Sequence, residues 1–209
     1  MRHAAVAVAV ALAAVMVGSL AADAAADAAP RPDPIEFLKA NDARAKGLLA
    51  RAPTGPLPAG LRDTLKAEIN RAFDFATLSR LALGEHWEAR TPAERDHFVA
   101  TFSAIIQEQN FDSFVRYYRE GRITYRSETA SGDTARVLAT VPLKQEQIEI
   151  EYALAAAADG WRVWDLVVDG VSTAEGNRRR YGRYLEKNTY AQLIGQLDKQ
   201  LERLRAATP

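Results

Sequence analysis

Between Leu61 and Phe73 apolar side chains return every fourth residue, at Leu61, Leu65, Ile69 and Phe73. That spacing predicts a short amphipathic helix. An earlier helical stretch opens at Asp33-Pro34 and runs over Ile35–Arg51, with a sparser set of Ile35, Leu38, Leu48 and Leu49. The Pro- and Gly-rich run 53–60 between the two cannot sustain a helix and reads as a loop. Asp74 is placed to cap a further helix carrying Phe75, Leu78, Leu81 and Ala82, which Gly84 ends. Thr91-Pro92-Ala93-Glu94 then supplies an N-cap, a proline at the first helical position and a glutamate at the third. The helix so started can reach Glu120. Phe98, Phe102, Ile105 and Ile106 share one of its faces, whereas Phe111, Phe114, Val115 and Tyr118 fall largely on the opposite side. Either the helix breaks near Gln107–Asn110, or its second half packs on a different face.

From Gly121 the period changes from 3.6 to 2. Arg122–Glu128, Asp133–Leu143 and Gln147–Ala157 alternate, and the last does so most clearly, with Ile148, Ile150, Tyr152 and Leu154 against Glu149 and Glu151. Ser131-Gly132 and Asp159-Gly160 are turn signals between strands. Trp161–Val168 carries apolar groups on both faces, as a central strand does. Gly170 closes the sheet, and Val171–Lys187 and Asn188–Ala207 read as two final helices. Helices, then consecutive strands, then helices define the α+β class. The expected architecture is one domain over residues 35–207, with a four-stranded antiparallel meander packed against N- and C-terminal helices.

The first residues carry a different signal. Met1-Arg2-His3 is a basic start, Ala4–Ala22 holds no charge, and small residues crowd Gly18–Ala24. This is the layout of a secretory signal peptide, expected over residues 1–24 and removed on export, with a flexible lead-in at 25–34. The 209-residue chain has no cysteine, which removes disulfide frameworks, thiolate metal sites and cysteine nucleophiles together. A cysteine-free exported protein fits a bacterial periplasm better than a disulfide-stapled extracellular module. Twenty-seven Lys+Arg balance twenty-seven Asp+Glu. A protein that works by neutralising phosphates along nucleic acid is normally basic, so no nucleic-acid partner is expected.

Catalytic signatures are missing. The sequence holds no G-x-S-x-G elbow, no phosphate-binding glycine loop, no G-x-G-x-x-G and no H-E-x-x-H. With three histidines, one of them His3, no metal site and no cofactor are expected. His86 and His97 lie on different elements and read as surface or half-buried side chains; as general bases, with Asp165 or Asp169, they would belong to a small α+β isomerase or hydrolase. One charged feature stands out. Arg178-Arg179-Arg180-Tyr181-Gly182-Arg183 lies in a tail, from Val171 onward, with eight basic against four acidic residues. The plain reading is a solvated helix face. The functional readings are a docking surface for an acidic partner or a grip on lipid phosphate, with Arg179 and Arg183 as contacts beside a half-wet rim of Tyr181 and Tyr184.

Several blocks then stand together in order: Phe73-Asp74-Phe75, Leu78–Trp87, Thr91–Arg95, Phe98 with Phe102, Gly160–Ser172, Asn177-Arg178-Arg179, and Ala191–Ile194 with Leu197. Across roughly Ile35–Leu204 the chain resembles the MlaC-like, toluene-tolerance family of periplasmic phospholipid-binding proteins. One departure is that Asn177 is followed by arginine, where that family usually writes Asn-Tyr-Arg. The resemblance implies a soluble, non-enzymatic, monomeric shuttle. It would carry phospholipid between an outer-membrane lipoprotein complex and an inner-membrane ABC transporter complex that maintains outer-membrane lipid asymmetry. A related possibility is a binding subunit of such a transporter with another hydrophobic ligand. Exposing about thirty acyl methylenes to water costs more than about 20 kcal/mol, so a carrier needs an apolar pocket enclosed by sheet and helices. Face arithmetic nominates as its lipid-binding walls Phe75, Leu78, Phe98, Phe102, Ile105 and Ile106 from the helices. From the strands it nominates Val137, Val141, Ile150, Tyr152, Val163 and Val167.

Overall fold

In the computed structural model, residues 31–53, 55–120, 122–143 and 146–207 are described. The export segment read from the sequence, and the lead-in as far as Pro30, lie outside them. Six helices and five strands follow in the order α1 (Pro34–Leu49), α2 (Ala59–Asn70), α3 (Phe75–Leu83), α4 (Pro92–Glu120), β1 (Thr124–Ser131), β2 (Thr134–Leu143), β3 (Glu146–Ala157), β4 (Gly160–Val168), β5 (Val171–Ser172), α5 (Thr173–Leu185) and α6 (Tyr190–Ala206). The fold is α+β.

Every helix but α2, which follows Pro58 with no side-chain cap, starts where a side chain can satisfy its orphan amides. Asp33 accepts from the Glu36 amide at 3.0 Å, with Pro34 at the first helical position. Asp74 accepts from the Thr77 amide at 2.9 Å. At α4, Thr91 Oγ1 accepts from the Glu94 amide while Glu94 accepts from the Thr91 amide at 2.8 Å, a reciprocal box that also holds the Glu94 carboxyl below its usual range. Thr189 and Gln192 repeat this box at α6. Helix α3 ends at Gly84, whose φ of +61° is left-handed. A β-carbon there would also stand 2.9 Å from Arg178 Cγ, so glycine lets the arginine stem lie against the turn.

The sheet is an antiparallel meander in the order β1-β2-β3-β4-β5. A fifth, two-residue strand extends the expected four. Asp169 (φ +47°) and Gly170 (φ +78°) form a tight turn after β4, and Val171-Ser172 pairs back onto Val168-Val167. Further along the same edge of β4, Val163 exchanges backbone hydrogen bonds with the Ala72–Asp74 segment: its amide donates to Ala72 O at 2.7 Å and its carbonyl accepts from the Asp74 amide at 2.8 Å. The edge is thus covered by the link between α2 and α3, which fixes Phe73 and Phe75 against the sheet.

Three apolar clusters fill the interior. Phe98, Phe102 and Ile105 of α4 pack with Leu78, Leu83, Tyr181, Leu193 and Leu197 from α3, α5 and α6. Val137, Val141, Ile150, Tyr152, Leu154 and Val163 form the sheet's inner face under Leu38 of α1. Phe111 and Val115 of α4 pack with Ala45, Leu49, Leu65 and Ile69 of α1 and α2. Helix α4 is therefore unbroken, and its two apolar faces serve two different neighbours.

Candidate functional site

The seam where these clusters meet is incompletely filled. A cavity of about 140 Å³ lies between the middle of α4 and the β3–β4 end of the sheet. Ile106, Asn110, Ser113, Phe114 and Tyr117 line it from α4; Ile150, Leu166 and Val168 line it from the sheet; Asn70, Phe73, Phe75, Leu78 and Thr173 close the remaining side. Its depth has a polarity gradient. Leu78 and Ile150 are buried, the aromatic rings are half-buried, and Asn110 and Val168 are exposed. The lining is mostly apolar, and no charged side chain belongs to it.

Of the twelve residues nominated as pocket walls, Phe75, Leu78, Ile106 and Ile150 line this cavity. Phe98, Phe102 and Ile105 lie in the packed helical cluster, each at most 1% exposed, and Val137, Val141, Tyr152 and Val163 lie in the sheet core. Val167 points away from the seam, and the reason is a bulge. Leu154 pairs with Val163, but Ala153 pairs with Asp165, so Trp164 is an extra residue in β4. One inserted residue exchanges the two faces of everything beyond it. Leu166 and Val168 therefore face the cavity where strict alternation from Val163 selects Val167.

Not among the nominated walls, but lining the cavity, are Phe73, Asn70, Asn110, Ser113, Phe114, Tyr117 and Thr173. Phe114 carried a signal as part of the second apolar face of α4. The spacing makes Phe73 the last apolar position of the second helix, but α2 ends at Asn70 and Phe73 is placed by the edge contact with Val163.

The arginine run lies elsewhere. Thr173 lines the cavity, and at a rise of about 1.5 Å per residue Arg179 and Arg183 stand roughly 9 and 15 Å further along α5. Arg178, Arg179, Gly182 and Arg183 border a separate surface groove with Leu83, Glu85, His86 and Glu186. Arg178 and Arg179 both pair with Glu175, at 2.9 and 3.2 Å, whereas Arg183 forms no ion pair among the described residues. Tyr181 is not at a rim but 2% exposed, edge-on to Phe98 and Phe102 at 5.9 and 6.1 Å between ring centres. Tyr184 is half-buried against the same cluster. The run alternates because α5 is amphipathic: the residue at the centre of the basic segment turns inward.

His97 and Asp165, two of the groups weighed for catalysis, are committed to structure. His97 Nε2 lies 3.0 Å from Asp198, which also accepts from Thr101. Asp165 accepts from Ser172 Oγ at 2.5 Å and from the Leu166 and Ala174 amides at 2.9 Å, tying β4, β5 and α5 together at the bulge. Neither residue lines the cavity. A further buried group, Asp42 of α1, accepts from Tyr118 of α4 at 3.0 Å and Tyr125 of β1 at 2.7 Å. Burial raises its carboxyl above the ordinary value, against the two hydroxyls and Lys46, which pull it down. Burial likewise pushes both tyrosines up. Among the described residues no cluster of three or more His, Asp or Glu could hold a metal, and no helix is long and apolar enough to cross a membrane.

A helical layer over an antiparallel meander, with an apolar cavity in the seam, defines a pocket-bearing α+β domain. Comparison with known proteins gives the family. The sequence profile of the MlaC protein family matches residues 49–199, and the chain belongs to that family. A phospholipid-binding protein from Ralstonia solanacearum, solved in complex with a phospholipid, has a similar fold: the TM-score is 0.67 at 18% identity, covering 82% of this chain and 96% of that one. No curated protein matches the sequence.

Proposed function

We propose that this chain is a periplasmic phospholipid carrier. The observation that carries the reading is the apolar cavity in the seam between α4 and the sheet, in a member of the MlaC family whose structural relative holds a phospholipid. Acyl chains lie between α4 and the β3–β4 end of the sheet, and the headgroup stays at the mouth. An apolar cavity of about 150 Å³ takes one benzene-sized molecule, so the 140 Å³ seam must widen to take a chain. The packing supports such a motion. Helix α4 contacts α3 and α6 at its first half and α1 and α2 at its second, but meets the sheet mainly at β2. Moving the sheet relative to α4 opens the seam while the helical contacts remain.

No catalytic step is needed. Loading and unloading stay near balance if the widened seam is about as apolar as a bilayer, and docking at a donor or acceptor then shifts the equilibrium. In this reading residues 1–24 direct export and are removed, residues 25–34 are a lead-in, and residues 35–207 form the carrier. The monomer shuttles between an outer-membrane lipoprotein complex and an inner-membrane ABC transporter complex. The surface of Arg178, Arg179 and Arg183 is the contact for an acidic partner, since it lies apart from the cavity mouth.

Solvent extraction of the natively purified protein, followed by mass spectrometry, is expected to return phospholipid. Repeated recovery of none, or of a different hydrophobic compound, overturns the reading. Leu166→Trp fills the seam and is expected to reduce recovered lipid at least tenfold. Its thermal stability should change by no more than about 1–3 kcal/mol, the usual range for overpacking.

A further inference from the structure

The rim of the cavity has a chemistry of its own. Asn70 of α2 and Asn110 of α4 both line it, and each donates its amide nitrogen to a carbonyl one turn back, Lys66 O at 2.7 Å and Ile106 O at 2.8 Å. A backbone carbonyl can only accept, so the side-chain nitrogen is the atom held and the Oδ1 atom is left to the rim. Thr173 Oγ1 likewise donates, to Leu166 O at 2.9 Å. Of the five polar side chains at the seam, these three have a donor engaged and Ser113 and Tyr117 are the others; each asparagine keeps one further N–H, and its Oδ1 is the acceptor it offers.

Beside them Arg116 lies exposed on α4, its guanidinium donating to Ser113 Oγ, a further polar lining atom, at 3.4 Å. Cations on the facing helix are already committed: Lys66 bonds Glu108 at 2.6 Å and Arg62 bonds Asp112 at 3.1 Å. Arg116 forms no ion pair among the described residues, which leaves a forked donor at the mouth of an otherwise uncharged pocket.

Resting on the carrier reading, we propose that this rim reads the headgroup: Arg116 holds the phosphate, and the Oδ1 atoms of Asn70 and Asn110 accept from N–H or O–H groups beyond it. A primary ammonium and a glycerol hydroxyl share that donor chemistry. A quaternary ammonium lacks it.

The test is uptake by the full mature protein from vesicles of phosphatidylethanolamine, phosphatidylglycerol or phosphatidylcholine with identical acyl chains, with bound lipid quantified by mass spectrometry. A hydrogen bond from a hydroxyl, or a charge-assisted one from an ammonium, corresponds to roughly threefold to tenfold or greater preference for each of the first two lipids over the third. Preference for only one of the two donor lipids identifies which donor the rim takes. Asn70→Leu with Asn110→Leu is expected to remove the preference by lowering uptake of phosphatidylethanolamine and phosphatidylglycerol to the level of phosphatidylcholine, and Asn110→Gln to restore part of it. Arg116→Gln is expected to lower uptake of all three by about threefold or more and leave their ratio unchanged. Equal uptake of the three lipids by the wild-type protein overturns the assignment of the asparagines, as does a ratio that survives the double substitution. Unchanged uptake by the Arg116 variant overturns the phosphate contact. Failure to take up any of the three overturns the carrier reading itself.

Discussion

The two halves of α4 are built from similar residues and do different work. Phe98, Phe102 and Ile105 sit at most 1% exposed among α3, α5 and α6, with the two rings stacked at 5.5 Å and Tyr181 set edge-on to both. Ile106, next to Ile105, and Phe114 and Tyr117 further along the helix face a gap, and Phe114 and Tyr117 meet each other edge-to-face at 6.4 Å. Aromatic content alone does not make a binding site. What separates the two sets is the neighbour: helices supply interdigitating side chains to the first, as they do to Phe111 and Val115, whereas the bulged end of the sheet leaves Ile106, Phe114 and Tyr117 short of partners. A rigid anchor and a seam able to open are thereby placed on a single continuous helix.

Truncation breaks this comparison most directly. Phe102→Ala is expected to destabilise the protein by about 3–5 kcal/mol in chemical denaturation, because the cavity it leaves is surrounded by fixed rings. Phe114→Ala removes a ring that is only partly withdrawn from water and should reduce stability by roughly 1–2 kcal/mol, with its main effect on lipid recovery. Equal losses at the two positions would mean that the seam is packed as tightly as the bundle.

Asp42 sharpens the contrast at the other end of α4, where it joins α1, α4 and β1 through Tyr118 and Tyr125. Asp42→Ala leaves two buried hydroxyls without their acceptor and should cost about 1–3 kcal/mol. The pH dependence follows from the raised carboxyl. A folded-state pKa above the unfolded one gives stability that is fully present below 3.8 and lost as pH rises through the raised value. Tyr118, Tyr125, Tyr152 and Lys46 are the ionisable groups that face it, and the tyrosines stay neutral throughout that window. The stability difference between wild type and Asp42→Ala should therefore shrink as pH rises from 3.8. A difference that grows with pH would show that the ionised form is the one the fold prefers.

The smallest effect on stability is expected at the surface. Arg179→Glu with Arg183→Glu should leave the unfolding free energy within about 0.5 kcal/mol, since neither side chain is buried. Transfer of lipid to acceptor membranes bearing the partner complex should slow several-fold at low salt, and the deficit should narrow as salt screens the surface. Undiminished transfer at low salt would detach the arginine surface from docking.

Local order was readable from the chain itself. Helix starts at Asp33, Asp74 and Thr91, the turn at Gly132 and the alternation through β3 are short-range effects, complete within a few residues, so sequence patterns specify them; the box at Thr189 is specified as locally, yet the sequence reading passes over it. The order of motif-like blocks from Phe73 to Leu197 likewise points to the family. The site was legible only in part. Phe75, Leu78, Ile106 and Ile150 could be placed by face, whereas Leu166 and Val168 depended on the extra residue at Trp164, Phe73 on an edge contact with Val163, and Tyr181 on the inward turn of α5. A helix or strand period reports which side of an element is apolar. A cavity is a shortfall between elements, set by bulges, edge pairings and the way layers meet, and those are fixed only when the whole chain is packed.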